Sequence, residues 1–203
     1  MIRKSIAIID YGVGNHASIQ QTFRSIGHKC VVSRDAEVLS RNDMLVLPGV
    51  GAYPAAMSAL NKSSLVDCIR QLAASGKPIL GLCLGMQLLA ERSNEGGNTA
   101  GLGLVPGYVV QMAPNFVHIG WNTIEVARDE RLLSPSDGED FYFNHSNVLV
   151  TPNEYQICRF ERKQKFTAAV RIGNIVGCQF HPEKSQVAGK KLLKSLVEGL
   201  TDA

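Results

Sequence analysis

The segment LGLCLGMQLL (80–89) places one thiol, Cys83, among small and apolar residues. The hydrophobic pattern predicts a buried strand over 78–82 and a helix over 84–91, so Cys83 stands on the turn between them. Glycines two positions before and after the cysteine allow a tight, strained turn that presents a nucleophile beyond the carboxyl edge of a sheet. The helix that follows directs its N-terminal amides at the thiol, which favours a thiolate and supplies donors for an oxyanion. The motif alone is equally compatible with a buried structural cysteine.

Strands and helices alternate on the N-terminal side of this segment. The periodicity predicts a strand at 5–10, a helix at 16–26, strands at 29–33 and 44–47, and a mostly helical stretch at 55–74. Repeated strand–helix units favour an α/β fold: a doubly wound, mainly parallel sheet with helices on both faces.

The pattern changes to short strands on the C-terminal side. They are predicted at 108–112, 122–126, 141–143, 156–160, 167–170 and 175–179, ahead of a final helix at 186–200. Their short connections indicate antiparallel pairing that extends or caps the sheet. The basic and acidic run at 159–165 (RFERKQK) is typical of a solvated hairpin tip.

Length and composition limit the function classes. A chain of 203 residues with a formal net charge of +3 suits a single domain over 1–203 and does not indicate nucleic-acid binding. No apolar run approaches the length of a membrane span. The five cysteines are odd in number, widely spaced and without a CxxC pair, so they predict neither a disulfide framework nor a zinc site. We therefore expect a cytoplasmic protein without a metal or cofactor.

A candidate base lies near the C-terminus, in the segment GCQFHPEKS (177–185). His181 and Glu183 are separated by one proline, and a residue before proline favours extended geometry. Extended side chains two positions apart share one face, so Glu183 is placed to orient the His181 ring while that ring takes a proton from Cys83. A lone histidine before proline is more often a turn residue, and only its combination with the elbow cysteine favours catalysis.

The segment LVLPGVGAY (45–53) supplies a third candidate element. A buried strand runs into a glycine-bordered loop at the carboxyl edge of the sheet, where open α/β folds bind ligands. Its amides near Val50 and Gly51, together with the amide of Leu84, are the candidate oxyanion hole. An ordinary Gly/Pro turn is an equally good explanation of this segment in isolation.

The first turn of the chain supports a rival interpretation. The segment DYGVGNHA contains Gly12, Gly14 and Ala17 in the order G-x-G-x-x-A after the first strand, and Asp35 follows roughly twenty residues later. This order matches a dinucleotide-binding fingerprint and would make the chain a cofactor-binding protein. It leaves the Cys83, PGVG and HPE motifs unexplained.

Taken together, these motifs resemble those of the class I (triad) glutamine amidotransferases, which have a flavodoxin-like fold. Within that class the chain is most similar to the HisH family, the glutaminase subunits of imidazole glycerol phosphate synthase. The resemblance spans nearly the whole chain. It rests on IIDYGVGN, LPGVGAY, GLCLGMQLL, HIGWN (118–122), FYFNHS (141–146) and GCQFHPEKSQVAG (177–189).

The resemblance implies a reaction. Cys83 attacks the side-chain amide of L-glutamine to form a glutamyl thioester, and His181 and Glu183 complete the triad that releases ammonia and then activates water. The PGVG backbone serves as the oxyanion strand, and glutamine contacts fall on Gly51, Gln87, His145 and Ser146.

The resemblance also implies a partner, a separate (β/α)8-barrel cyclase subunit of the HisF type that forms a heterodimer with the chain. That subunit uses the ammonia to make imidazole glycerol phosphate and AICAR in histidine biosynthesis. Asn15 and Trp121 match family positions at the subunit interface. Trp121 is the only tryptophan, and a position in the core is the equally compatible alternative for its side chain.

Two positions depart from the family pattern. Asn147 stands where an aromatic residue usually follows the His-Ser pair, and Val117 stands where a proline is common before His118. Both are expected near the glutamine pocket or the partner face, and neither touches the triad. They leave open a paralogous role, in which the subunit supplies ammonia to a sugar-amidating partner in surface-polysaccharide synthesis.

Overall fold

The structure, a computed structural model, describes residues 2–114, 116–127 and 130–201. Thirteen strands are found in these ranges: β1 (Ser5–Ile9), β2 (Lys29–Ser33), β3 (Met44–Leu47), β4 (Ile79–Leu82), β5 (Ala90–Ser93), β6 (Thr99–Ala100), β7 (Val105–Gln111), β8 (His118–Val126), β9 (Asp140–His145), β10 (Asn147–Val150), β11 (Gln156–Glu161), β12 (Lys165–Ile172) and β13 (Ile175–Cys178). The α-helices are α1 (His16–Ser25), α2 (Ala36–Arg41), α3 (Tyr53–Lys62), α4 (Leu65–Ala74), α5 (Leu84–Leu88) and α6 (Gln186–Thr201).

Nine strands form the central sheet, in the order β2-β1-β3-β4-β13-β12-β11-β8-β9. The pairs from β2 to β13 are parallel, and the pairs from β13 to β9 are antiparallel. The predicted α/β fold with a parallel half and an antiparallel extension is confirmed. The strands β4 and β13, which precede the two predicted catalytic segments, are direct neighbours at the centre of this sheet.

Two hydrophobic cores cover the two faces of the sheet. Alternate residues of β1 and β3 point to opposite faces, as the period of a strand requires. One core contains Ile6 and Ile8 with the apolar stripes of α1 and α6, and the other contains Ala7 and Ile9 with residues of α3, α4 and α5. Because both faces of the parallel strands are buried, only their carboxyl ends are available for a site.

A second, four-stranded sheet follows the elbow helix and corrects the predicted element boundaries. Its order is β10-β7-β5-β6, with β5 and β7 parallel and the other two pairs antiparallel. The helix predicted to reach residue 91 ends at Leu88. The carbonyl groups of Leu88 and Leu89 accept hydrogen bonds from the amides of Leu102 and Val105, so the chain continues as β5 instead of a further helical turn.

Two further local features differ from the prediction. The helical stretch at 55–74 divides into α3 and α4, because Ser64 adopts a left-handed conformation with φ of 54° between them. The short helix α2 was not predicted; Asp35 caps it by accepting hydrogen bonds from the amides of Glu37 and Val38. Residues 161–165 form the exposed tip of the β11–β12 hairpin, as predicted, whereas Phe160 within the predicted run is buried in the core.

Candidate active site

The predicted elbow is present between β4 and α5. Cys83 has φ of 53° and ψ of −111°, a backbone conformation that residues other than glycine seldom adopt. Its backbone amide donates a hydrogen bond to the Cys178 carbonyl over 2.8 Å. Strain of this kind persists only where the surrounding structure imposes it. The backbone of β13 therefore helps to hold the nucleophile position at the carboxyl end of the parallel strands.

Glycines allow the elbow to pack backbone against backbone. A Cβ atom on Gly49 would lie 2.5 Å from the amide nitrogen of Gly85, and one on Gly81 would lie 2.7 Å from the carbonyl oxygen of Gly85. A Cβ atom on Gly85 would itself clash with the carbonyl oxygen of Leu47. The two glycines that flank Cys83 are therefore required for close packing of α5 against the ends of β3 and β4.

His181 and Glu183 meet beside this cysteine. The Nδ1 atom of His181 lies 2.8 Å from Oε1 of Glu183, and the two side chains are only 5% and 2% exposed. His181 is extended (φ −107°, ψ 90°), whereas Glu183 lies in a short 3-10 turn, so the predicted contact is present although only its first residue is extended. The backbone of His181 is fixed by its amide donating to Tyr142 and by the Ser185 hydroxyl donating to its carbonyl.

The electrostatics of this cluster favour a charged histidine. Burial alone lowers the pKa of His181, but hydrogen bonds and charges from Cys83 and Glu183 outweigh burial and raise the pKa from 6.5 to about 10. A carboxylate on one side of the ring and a sulfur atom on the other stabilise the imidazolium form. This is the arrangement that a thiolate–imidazolium pair requires.

The predicted site residues line one pocket of about 260 Å³. Its walls include all of the predicted catalytic and substrate-binding residues except Glu183, which contacts the far side of the His181 ring: Val50, Gly51, Cys83, Leu84, Gln87, His145, Ser146 and His181. The structure therefore brings together segments that are more than a hundred residues apart in sequence. Val117 and Asn147, the two departures from the family pattern, line the same pocket.

The candidate oxyanion donors come from two segments, the start of α5 and the PGVG loop, that line the pocket together with Cys83. Leu84 begins α5, where the first amides of a helix have no acceptor inside the helix. Gly51 has φ of 87°, and the Tyr11 hydroxyl donates to the carbonyl of Pro48 over 2.7 Å. The N-terminal motif is thus connected to the PGVG segment, because it supplies the tyrosine that holds the beginning of that loop.

Two predicted substrate contacts are themselves fixed by hydrogen bonds. The Nε2 group of Gln87 donates to the Asn147 carbonyl and to Oε1 of Gln179, each over 2.9 Å. The Nδ1 group of His145 hydrogen-bonds the same Asn147 carbonyl over 2.9 Å. Gln179 also reaches the nucleophile, with its Nε2 atom 3.8 Å from the sulfur of Cys83.

Sequence reasoning missed a carboxylate in the pocket wall. One oxygen of Glu95, Oε2, accepts from the side-chain amide of Asn147 over 2.9 Å and from the amide of Tyr53 at the start of α3 over 3.1 Å. The local sequence SNEGGN indicates only a loop, so no pattern pointed to this residue. Gln179, Asn144 and Lys184 were also missed, although each lies within or beside a segment that the sequence singled out, because no local pattern shows which neighbours of a motif reach the pocket or the Cys83 sulfur.

The two predicted interface residues are both exposed. Trp121 is 47% exposed and packs edge-on against Tyr142, with ring centroids 6.1 Å apart, so the alternative of a core position is wrong. Asn15 caps α1 by accepting a hydrogen bond from the amide of Ser18. Its part in an interface stays a prediction.

The residues of the dinucleotide-like motif have structural contacts. Asp35 is the cap of α2, and Asp10 accepts from the amide of Gly12 and forms an ion pair with Arg34. Within the described ranges, no group of three or more His, Cys, Asp or Glu side chains is arranged to hold a metal ion. Across the same ranges, no helix has the length and apolar character needed to cross a membrane.

The chain belongs to the class-I glutamine amidotransferase family. The model of this family, described as "Glutamine amidotransferase class-I", matches residues 7–198. This match includes the Gly12–Ala17 segment and favours the amidotransferase interpretation of that motif over dinucleotide binding.

Within this family the chain is similar to proteins called imidazole glycerol phosphate synthase subunit HisH. It is 45% identical over 197 residues to the Listeria monocytogenes serotype 4a protein, covering 95% of both chains. It is 43% identical to the Lactococcus lactis protein over 203 residues, covering 96% of this chain and 98% of that relative. For the Methanothermobacter thermautotrophicus protein the identity is 42% over 195 residues, covering 95% and 98%.

Solved structures share the fold at low sequence identity. PurLQS from Thermotoga maritima superposes with a TM-score of 0.78 at 17% identity, covering 98% of this chain and 100% of that chain. A glutamine amidotransferase from Thermotoga maritima superposes with a TM-score of 0.73 at 19% identity, covering 100% of both chains.

Proposed function

We propose that this chain is the glutaminase subunit of an imidazole glycerol phosphate synthase and that it releases ammonia from L-glutamine for a separate cyclase subunit. The chemistry is supported by one observation: Cys83 and His181, with Glu183 behind the histidine, meet at the wall of one small pocket. The pathway is supported by similarity to HisH proteins from bacteria and an archaeon over nearly their whole length. Five free cysteines fit a reducing compartment.

Cys83 is the proposed nucleophile. Its thiolate forms a bond to the side-chain carbonyl carbon of glutamine, and the protonated His181 gives its proton to the departing nitrogen, which leaves as ammonia. The neutral His181 then removes a proton from water, and the hydroxide attacks the thioester and expels the Cys83 thiolate, which restores the thiolate–imidazolium pair; the new carboxyl group loses its proton to solvent and leaves as glutamate. Glu183 holds the ring through Nδ1, so that the other ring nitrogen faces the sulfur.

The oxyanion that develops on the glutamine carbonyl needs donors on the side opposite the histidine. We assign this role to the amide of Leu84 and to an amide of the PGVG segment at Val50 or Gly51. Each such donor is worth about 10²–10³ in turnover, because it contacts charge that exists only in the transition state.

Substrate recognition is assigned to the remaining wall. A volume of about 260 Å³ is at the small end of ligand sites and suits a single amino acid rather than a dinucleotide. The carboxylate of Glu95 supplies a negative charge for the α-ammonium group of glutamine. Gln87, His145 and Ser146 complete the polar lining.

The proposed docking face for the cyclase surrounds the pocket mouth. It presents large apolar side chains that are 43% to 60% exposed: Val50, Val117, Ile119 and Trp121. Exposed aromatic and aliphatic residues grouped at a site are typical of a protein interface. A partner on this face would cover the pocket and receive ammonia without its loss to solvent.

The test is glutamate release by the purified chain, alone and mixed with the barrel cyclase and its nucleotide ligand from the same organism. The proposal predicts weak activity alone and strong, ligand-dependent stimulation. Trp121→Ala should reduce the stimulation, whereas Tyr108→Ala, an exposed aromatic of the second sheet, should not. Glutaminase activity that ignores this cyclase would contradict the pathway and favour a sugar-amidating partner.

A further inference from the structure

A histidine outside the pocket is the start of a buried polar chain that leads to it. His118 on β8 is fully buried, and its ring stacks between Phe143 and Phe160 with centroid distances of 4.7 and 4.8 Å. Its Nδ1 atom lies 3.1 Å from Nε2 of His145, which lines the pocket. Burying an imidazole between aromatic rings costs free energy unless its ring nitrogens form hydrogen bonds, and this contact supplies one.

The partners of the two rings determine where the protons are. The Asn147 carbonyl can only accept, so the Nδ1 atom of His145 must be the donor in their 2.9 Å contact. Burial lowers the pKa of His145 to about 3 and that of His118 to about 4, so both rings are neutral near pH 7. A neutral His145 with its proton on Nδ1 has a lone pair on Nε2, and His118 must therefore donate from its own Nδ1.

One buried atom agrees with this assignment. The Nε2 atom of His118 has no hydrogen-bond partner among the described residues. With the proton on Nδ1, this atom is an unpaired acceptor rather than an unpaired N–H, the less unfavourable of the two in a buried site. Among the described residues, the His118 ring thus has one hydrogen bond, the one to His145.

The chain continues from His145 to the nucleophile. The Asn147 carbonyl accepts two hydrogen bonds of 2.9 Å, one from Nδ1 of His145 and one from Nε2 of Gln87. Gln87 donates its second N–H to the side-chain oxygen of Gln179. The side-chain nitrogen of Gln179 in turn lies 3.8 Å from the sulfur of Cys83. With both of its N–H groups engaged, Gln87 can offer only its side-chain oxygen to a ligand.

We propose that His118 is a positioning residue for the glutaminase reaction: its Nδ1–H holds the His145 ring, and through the Asn147 carbonyl it holds Gln87 beside Cys83. His118 is absent from the pocket lining, so it acts on the substrate only through these groups. The inference rests on the proposed function for its kinetic consequence. The hydrogen-bond chain itself does not depend on that function.

The direct test is nitrogen-15 NMR of the imidazole groups in the folded wild-type chain. The proposal predicts the Nδ1–H tautomer for both His118 and His145 at neutral pH. The Nε2–H tautomer at either ring would overturn it. This measurement needs no glutamine and no turnover, so its result is separable from failure of the proposed function.

Substitutions then test the kinetic consequence. His118→Asn can place an N–H near the position of Nδ1 and should keep kcat/KM for glutamine within about 3-fold of wild type, whereas His118→Leu should lower it roughly 10-fold or more. Phe141→Leu, at a fully buried aromatic residue of β9 whose ring packs on Phe180, should lower the melting temperature as much as His118→Leu while leaving kcat/KM unchanged. Equal losses for His118→Asn and His118→Leu, or for Phe141→Leu and His118→Leu, would show that His118 is only a packing residue.

Discussion

The two walls of the pocket are built in opposite ways. The wall that carries Cys83 is closed by backbone packed on backbone, and even one added Cβ atom at Gly49 or Gly85 would clash. The wall that begins directly after Gly49 is open: Val50 is 43% exposed, and no heavy atom lies within 4 Å of where a Cβ atom of Gly51 would be. A nucleophile needs one fixed position, whereas oxyanion donors on an exposed loop are accessible to a partner that controls turnover.

This difference follows from where each wall originates in the sheet. Cys83 continues β4, which is paired on both sides at the centre of the sheet. The Val50 segment leaves β3 as a loop on the proposed docking face and is held at its start by Tyr11. Loops carried on a rigid scaffold are the parts of a fold that a partner can move at low cost.

The largest expected effect on glutamate release comes from removing the nucleophile, Cys83. Cys83→Ala should lower glutamate release by at least about 10⁴-fold, because no other group can form the thioester. A circular-dichroism melt should show a folded chain with no loss of stability, since alanine removes a reactive atom and little buried volume. Full activity in this variant would refute the covalent mechanism.

The open wall is tested by removing one backbone donor. Val50→Pro deletes an amide hydrogen and should lower kcat in the presence of the cyclase by about 10²–10³-fold. Val50→Ala retains the amide and is the matched control, for which we expect less than about a 5-fold change. If the two variants behave alike, the amide of Val50 is not an oxyanion donor and the role passes to Gly51.

The closed wall is tested by overpacking. Gly85→Ala should lower the free energy of unfolding by about 3 kcal/mol, because its Cβ atom meets backbone that cannot move aside. Gly27→Ala is the comparison: a positive φ of 97° strains an alanine there, but the space around its Cβ position is open, so it should cost only about 1 kcal/mol. Urea unfolding curves measure both. Equal costs would show that the elbow is not tightly packed.

The smallest effect is on the dependence of stability on pH. His118 and His145 have lowered pKa values of about 4 and 3. The stability that their neutral rings contribute to the folded state is therefore complete above pH 6.5 and is lost as the pH falls from there. His181 has a raised pKa of about 10, so its contribution is complete below pH 6.5 and is lost as the pH rises toward 10. Melting temperatures should therefore peak near pH 6.5. His181→Asn should flatten only the alkaline side, and an unchanged alkaline side would contradict the assigned charge state.

How much of this could be predicted from sequence depended on the range of the interactions. The Cys83 elbow and the His181–Glu183 pair are local patterns, and the structure brings them together because β4 and β13 are neighbours. Glu95 lies in the turn after β5 and was not predictable, because its place in the pocket depends on Asn147, a residue of β10 that is 52 positions away in sequence. The second sheet was missed for the same reason, since the parallel pairing of β5 with β7 leaves no mark on local hydrophobic periodicity.

The central claim is that Cys83 attacks the side-chain carbonyl of glutamine. It is tested most directly with a diazoketone analogue of glutamine, which alkylates the group that attacks it, followed by peptide mass spectrometry. A Cys83 nucleophile predicts one label per chain, on the peptide that contains Cys83, with loss of glutamate release in proportion and protection by glutamine. Labelling at another residue, or inactivation that proceeds equally in Cys83→Ala, would contradict it.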